Sequence, residues 1–273
     1  MAAMTKRASP WSWLWIGLGV IYFFVPLLAT FEFSLRAQKG FYSLLAYQNA
    51  LGDPGFIFSF SFSAVAAVAT IVFGFLLIVP TAYWVHLRLP RLRPIIEYIT
   101  LAPFVIPPII LVFGLIKSYG SPVRIFGTPV LPPLTNTALT THILLVAGYI
   151  VLSLPYMYRA VDVGLRAIDV RTLTEAAQSL GASWPTILFR VIFPNLRVAL
   201  ISGAFLAFAL VIGEFVLATY LNEPAYGPYL NLIGDKTYIP EALTIVTFAL
   251  TWFAMGVIQF LSRGAPGQLV TGR

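Results

Sequence analysis

The chain has 273 residues, 59% of them hydrophobic and only 10% charged, with a mean hydropathy of +0.87. Soluble domains carry about a quarter charged residues, so the composition excludes an ordinary soluble protein and marks an integral membrane protein with no nucleic-acid partner, its net charge of +7 being the positive-inside bias of such a chain. No Cys is present, which removes disulfide scaffolds, thiolate zinc sites and Cys nucleophiles.

A helix needs about 20 apolar residues to cross a bilayer. Six windows qualify, at about 11–31, 58–84, 98–116, 138–158, 198–221 and 242–261. Lys6 and Arg7 precede the first window in the manner of a signal peptide. Its length, and the lack of a small-x-small cleavage site after it, make it a retained first helix. The second lies in an uncharged stretch from Phe56 to Trp84. The third carries Pro103, Pro107 and Pro108, read either as a structural kink or as a source of freed carbonyls that line a cavity. Glu97 opens it, four residues after Arg93, as an interfacial ion pair.

Tyr149 and Tyr156 lie seven residues apart on the fourth window, hence on one helix face. They read as interhelical packing or as aromatic faces for an ammonium ion. Glu214 interrupts the fifth window, and a charge inside a span is a functional-site hypothesis by default. With Tyr220 nearby it can bind a cationic group. The other reading is a structural hydrogen-bond network or gate. His86 and His142 lack metal-site spacing, and no metal site is expected.

Lys and Arg counts set the orientation. With the N-terminus inside, Lys6, Arg7, Arg88, Arg91, Arg93, Arg159, Arg166, Arg171, Arg190, Arg197, Arg263 and Arg273 face the cytoplasm, which is 12. Arg36, Lys39, Lys117, Arg124 and Lys236 lie outside, which is 5. Both termini are therefore expected in the cytoplasm, and an even number of spans agrees. Outside loops fall at about 34–54, 118–135 and 222–240. The Pro- and Gly-rich piece within 118–135 reads as an irregular loop.

The longest inside segment, about 159–197, holds "EAAQSLGASWPTILFRVIFP" from Glu175 to Pro194. Helix-start signals stand at Asp169 or Thr172, and Thr172 and Glu175 are spaced as a capping box. Gly181 is a natural stop just past the helix end. Ser183 can cap a second helix with Pro185 in its first turn. Two short helices thus meet at a bend near Gly181, and small residues there let another surface approach closely. A plain helix-turn-helix along the membrane, with Glu175 only a cap, is the structural alternative.

The segment resembles the EAA loop of permease subunits of binding-protein-dependent ABC importers. That pattern is Glu-Ala-Ala, three residues, Gly, nine residues, then Ile-x-Leu-Pro. Glu175, Ala176, Ala177, Gly181 and Pro194 match in register, and Val191 and Phe193 depart by apolar swaps. The stretches "FVPLLAT", "YQNAL", "APFVIPPII" and "SLGAS" resemble the spermidine/putrescine-type subgroup.

The resemblance implies an all-α type I importer permease fold: one transmembrane domain over 1–273, six spans, and a cytoplasmic coupling-helix loop at 169–197. It implies a multi-pass protein of the bacterial inner membrane. Its partners would be a cytoplasmic ATPase dimer, a second permease subunit in a heterodimer or homodimer, and a periplasmic or lipid-anchored solute-binding protein. Ala177, Gln178, Ser179, Leu180, Gly181 and Ala182 would contact the ATPase, with Glu175 and Arg190 as polar partners at the edges. Glu214, Tyr149, Tyr156 and Tyr220 would border the substrate path, although a Gly-Glu-Phe near this position also resembles anion importers.

No phosphate loop of the form G-x-x-x-x-G-K-[ST] is present. The subunit is thus expected to be no enzyme and to bind no cofactor, with ATP and Mg on the partner ATPase. The favoured cargo is a polyamine or related small polar amine. A phosphonate, opine, thiamine or ferric iron is the alternative. An ATP-independent transporter or channel would leave the loop pattern unexplained. A membrane enzyme would need a His cluster, a Ser-His-Asp set or paired carboxylates that this chain does not offer.

Overall fold

Backbone N–H and C=O groups find no water in hydrocarbon, so a chain this apolar must close its hydrogen bonds within helices. The computed structural model describes residues 10–38, 40–126, 128–234 and 238–262 and is mostly helical. Lys6, Arg7, Lys39, Lys236, Arg263 and Arg273, counted above for orientation, lie outside the described residues. The chain divides into two units, one of residues up to 54 with 232–250, the other of residues 55–231 with those from 251 on.

In the first unit, helix α1 (Pro10–Ser34) carries the first window, and none of its apolar stretch is buried. A turn follows in which Glu32 pairs with Arg36 at 2.6 Å and accepts a hydrogen bond from the Tyr42 hydroxyl at 3.0 Å. Helix α2 (Leu45–Leu51) comes next, and the Ser34 and Tyr47 hydroxyls share a hydrogen bond of 2.7 Å.

The second unit begins with α3 (Pro54–Arg88), an uninterrupted apolar helix long enough to cross a membrane. The third window, expected as one span distorted by its prolines, is two helices with a sharp break between them. Helices α4 (Arg93–Val105) and α5 (Pro108–Tyr119) meet at 99°. Pro107 drives Ile106 into extended backbone, ψ 114°, and Pro108 opens the next helix. The loop expected to be irregular contains a small antiparallel hairpin, β1 (Val123–Ile125) with β2 (Thr128–Leu131).

Helix α6 (Ala138–Arg166) is the second long apolar helix of this unit. The segment after it folds as α7 (Val170–Ser179), α8 (Trp184–Ile187), one wide π turn over Leu188–Ile192, and α9 (Phe193–Asn195). A 77° bend then leads into α10 (Arg197–Ile212). The fifth window also fails as a single helix: α10 stops at Ile212, and α11 (Val216–Tyr220) resumes after a three-residue break. Helices α12 (Tyr226–Leu232) and α13 (Ile239–Ser262) complete the order, α13 carrying the sixth window.

Close packing of α6 and α10 rests on glycine. A Cβ at Gly164 would stand 2.6 Å from the Ala199 Cβ, and one at Gly203 3.1 Å from Ala160. Small residues of this kind let helices approach where lipid supplies no hydrophobic drive. Two buried clusters result. One joins α3 (Ile78, Val79, Tyr83) to α6 (Met157, Val161, Leu165) and the α8 region; the other joins Val112 of α5 to Leu145 and Tyr149 of α6 and Leu217 of α11.

Candidate functional site

The bend expected near Gly181 is present, with its geometry complete. Gly181 has φ +77°, which an L side chain rarely adopts. Its N–H donates to the Gln178 carbonyl at 2.9 Å, and the Ala182 N–H donates to the Ala177 carbonyl at 3.0 Å. That pair of bonds is the Schellman closure of a helix end. The start of α7 differs from the expected capping box. Asp169 is the cap, accepting from the Thr172 N–H at 3.1 Å and its hydroxyl at 2.7 Å. Those bonds hold the Asp169 carboxyl below the usual carboxylate range. Glu175 is left to pair with Arg171 at 2.8 Å. The shorter side chain nearer the helix start wins because it reaches the free N–H groups directly.

The elbow has a buried back and a bare tip. Ile187, Leu188, Ile192 and Leu196 are at most 1% exposed. Ala177 and Ala182 pack partly against the same core, so they anchor the tip rather than face outward. Glu175, Ala176, Gln178, Ser179 and Gly181 are exposed, and Leu180 stands 89% exposed. Arg190 and Pro194 are exposed on the second arm, and among the described residues Arg190 makes no ion pair. A regular helix would drive the Pro194 ring into the carbonyl four residues earlier. The π turn just before it opens the helix there, and Asn195 Nδ2 donates to the Val191 carbonyl at 2.7 Å.

Beside the elbow lies a charge network. Arg93 pairs with Glu97 at 3.0 Å, as expected. The hub, however, is Asp162 of α6, 5% exposed, which no sequence motif singles out. It takes His86 at 2.8 Å, Arg93 at 2.9 Å and Arg166 at 2.7 Å, and Arg166 also reaches Glu97 at 2.8 Å. Its sequence signal is local: a lone carboxylate between Arg159 and Arg166, one turn from the latter. At the opposite end of α6, His142 meets Glu223 at 3.0 Å, and burial pushes the Glu223 carboxyl up while His142 pulls it down. Sequence reasoning does not find this pair either.

The two helix breaks meet around one cavity. It measures 490 Å³ and is lined by Pro103, Pro107, Pro108, Tyr156, Gly213 and Glu214. Glu214 is 8% exposed, and both its oxygens are engaged, accepting from the Leu217 N–H at 2.9 Å and the Ala218 N–H at 3.2 Å. It thus closes the start of α11. Gly227 is required here, since a Cβ would collide with the Glu214 carbonyl oxygen.

Tyr149 does not line the cavity. It is 1% exposed beneath it, and its hydroxyl, near Glu214, closes no hydrogen bond of good geometry among the described residues. Tyr220 packs on Phe113, ring centroids 5.0 Å apart. Of the expected four-residue group, Tyr156 and Glu214 share the cavity wall, Tyr149 is buried with its hydroxyl near Glu214, and Tyr220 packs away from them on Phe113. Phe104 and Tyr156 also border a 670 Å³ groove that continues to Arg159 and Asn195. Among the described residues Arg159 makes no ion pair.

Comparison with known proteins bears on both regions. The family described as "Binding-protein-dependent transport system inner membrane component" matches residues 78–265, which include the elbow and both breaks. The putrescine transport system permease protein PotI of Escherichia coli (strain K12) is 24% identical over 268 residues, 93% of this chain and 90% of that protein. The probable sulfate transport system permease protein cysT of Prototheca wickerhamii is 31% identical over 204 residues, 72% of this chain and 76% of that protein. Among solved structures, a bacterial ABC transporter involved in the import of the acidic polysaccharide alginate aligns with a TM-score of 0.66 at 14% identity. That alignment covers 94% of this chain and 93% of the other.

Proposed function

Since the chain belongs to the family of binding-protein-dependent transport system inner membrane components, we propose that its elbow is the surface on which a cytoplasmic ATPase docks, and that it passes ATP-driven movement to the spans. The carrying observation is the elbow's construction: a bare tip around Leu180 and Gly181, backed by side chains at most 1% exposed. A rigid back with an uncommitted apolar tip is what a docking element needs, because a soft back would absorb the push. ATP hydrolysis then resides in the ATPase, with ATP and Mg there and no cofactor here. A second permease subunit completes the path and a solute-binding protein delivers the cargo. Both termini face the cytoplasm. Substituting Leu180 with Asp tests the docking: the purified complex loses its ATPase subunit, and retention at the parent level sinks the reading.

The cavity between the broken helices and the groove below it form the path. The favoured cargo is a polyamine or related small amine, supported by PotI among the relatives and by Tyr156 beside Glu214 in the cavity wall. A small anion is the second reading. Each Glu214 oxygen already accepts from a backbone N–H, and Arg159, which makes no ion pair among the described residues, borders the groove. A ligand screen on the binding protein encoded beside this chain decides between them: binding of putrescine or spermidine supports the first, and binding of an oxyanion with no amine binding supports the second.

A further inference from the structure

The elbow has two arms, and two adjacent residues of α3 hold one each. Tyr83 is fully buried, with its hydroxyl 3.0 Å from Thr174 Oγ1 on α7. Thr174 gives its own proton to the Val170 carbonyl at 2.7 Å, so the bond between arm and span runs from the tyrosine hydroxyl to the threonine oxygen. The next residue, Trp84, stacks on Trp184, the first residue of α8. Their ring centroids are 6.0 Å apart and the planes 26° apart. Arg88, one turn later, covers the Trp84 ring at 5.9 Å. Successive helix residues point about 100° apart, so one turn of α3 can reach both arms as they diverge from Gly181. The same turn carries His86, which holds Asp162 and through it the network on α4 and α6.

We propose that Tyr83 and Trp84 are positioning residues that clamp both arms of the elbow to α3, so that a push on the tip moves α3 as a body and, through His86 and Asp162, carries α4 and α6 with it. The proposal rests on the docking role given to the elbow. Its physical content is that Gly181 is the one tip position with left-handed backbone, where the two arms would hinge if each were not fixed separately. Helices α4 and α6 both border the groove, so movement delivered to them changes access to it. The test measures the coupling directly.

The chain has no Cys, so a single thiol at Phe104, in the groove, reports access to the path. The complete complex with its ATPase is labelled with a maleimide, with and without ATP. In the parent, ATP changes the labelling rate. Trp84→Leu keeps the ATPase bound and reduces that change about fivefold or more, the lower end of ordinary coupling between sites. Trp84→Phe, which keeps a stacking ring, restores most of it. Tyr83→Phe removes only one hydroxyl, leaves Thr174 its bond to Val170, and produces a smaller loss of the same kind.

A parent-sized ATP response in Trp84→Leu overturns the proposal; should that variant fail to assemble, a parent-sized response in Tyr83→Phe overturns it. Leu180→Asp keeps the two claims apart. If it retains the ATPase, the docking reading fails. If it releases the ATPase while Trp84→Leu responds like the parent, only the clamp fails.

Discussion

Glu175 lies on the helix that leads into the elbow and Glu214 lies inside a helix break, and the two interruptions are built in opposite ways. Glu175 is exposed near the elbow tip, and its partner Arg171 is exposed too. Glu214 is buried, and its two oxygens bind the N–H groups that open α11. The elbow turns its backbone needs inward through the Schellman bonds and leaves its tip side chains exposed. The break at Gly213–Phe215 does the reverse: it consumes its charge to satisfy backbone that lipid cannot serve. A charge in an apolar run is therefore not by itself a binding site; what its oxygens already hold decides.

The largest effect is expected at the elbow's back. Leu188→Ala removes a side chain that is 1% exposed and costs about 2–5 kcal/mol. Thermal unfolding of the purified permease then shifts down, and an unshifted transition would mean that the elbow is not packed as described. Glu214→Ala stands beside it. It strands two buried N–H groups at a cost of about 1–3 kcal/mol each, so unfolding shifts down strongly. Unchanged stability with altered cargo preference would instead make Glu214 a binding residue and erase the contrast with Glu175.

Gly181→Val places a branched residue at φ +77°, a strain of about 1–2 kcal/mol. Global stability falls little, and ATPase retention falls greatly. Equal loss of both would mean that the bend serves folding alone. Glu175→Ala is the smallest: thermal stability stays at the parent value, since an exposed pair contributes little. Only the coupling of ATP hydrolysis to uptake declines, and parent-like coupling would reduce Glu175 to a surface residue.

The elbow is legible in the amino-acid sequence because its signals are local. Gly181 and Pro185 each act on backbone within a turn of themselves, and the motif register lies in consecutive residues; Ser183 does stand at the start of α8, but its hydroxyl meets the Thr186 hydroxyl at 2.9 Å and caps no backbone N–H, unlike the expected cap. The cap is harder to assign. Thr172 and Asp169 both have side chains suited to a helix start, and only three-dimensional reach separates them. The third and fifth windows read as continuous spans because hydropathy counts apolar residues and ignores direction. Pro107 turns the chain and Gly213 ends α10, each at only a small cost in mean hydropathy. The Asp162 hub and the His142–Glu223 pair escape sequence reasoning for another reason: their partners come from helices far apart in the chain, and no spacing rule brings His86 to Asp162.

The central claim is that the elbow tip meets an ATPase. A photo-crosslinking residue at position 180 tests it most directly, with one at Phe126 on the hairpin as the control. The prediction is a crosslink from position 180 to the ATPase subunit in the intact complex, and none from position 126. A complex that retains its ATPase yet gives no such crosslink from position 180 would contradict the assignment.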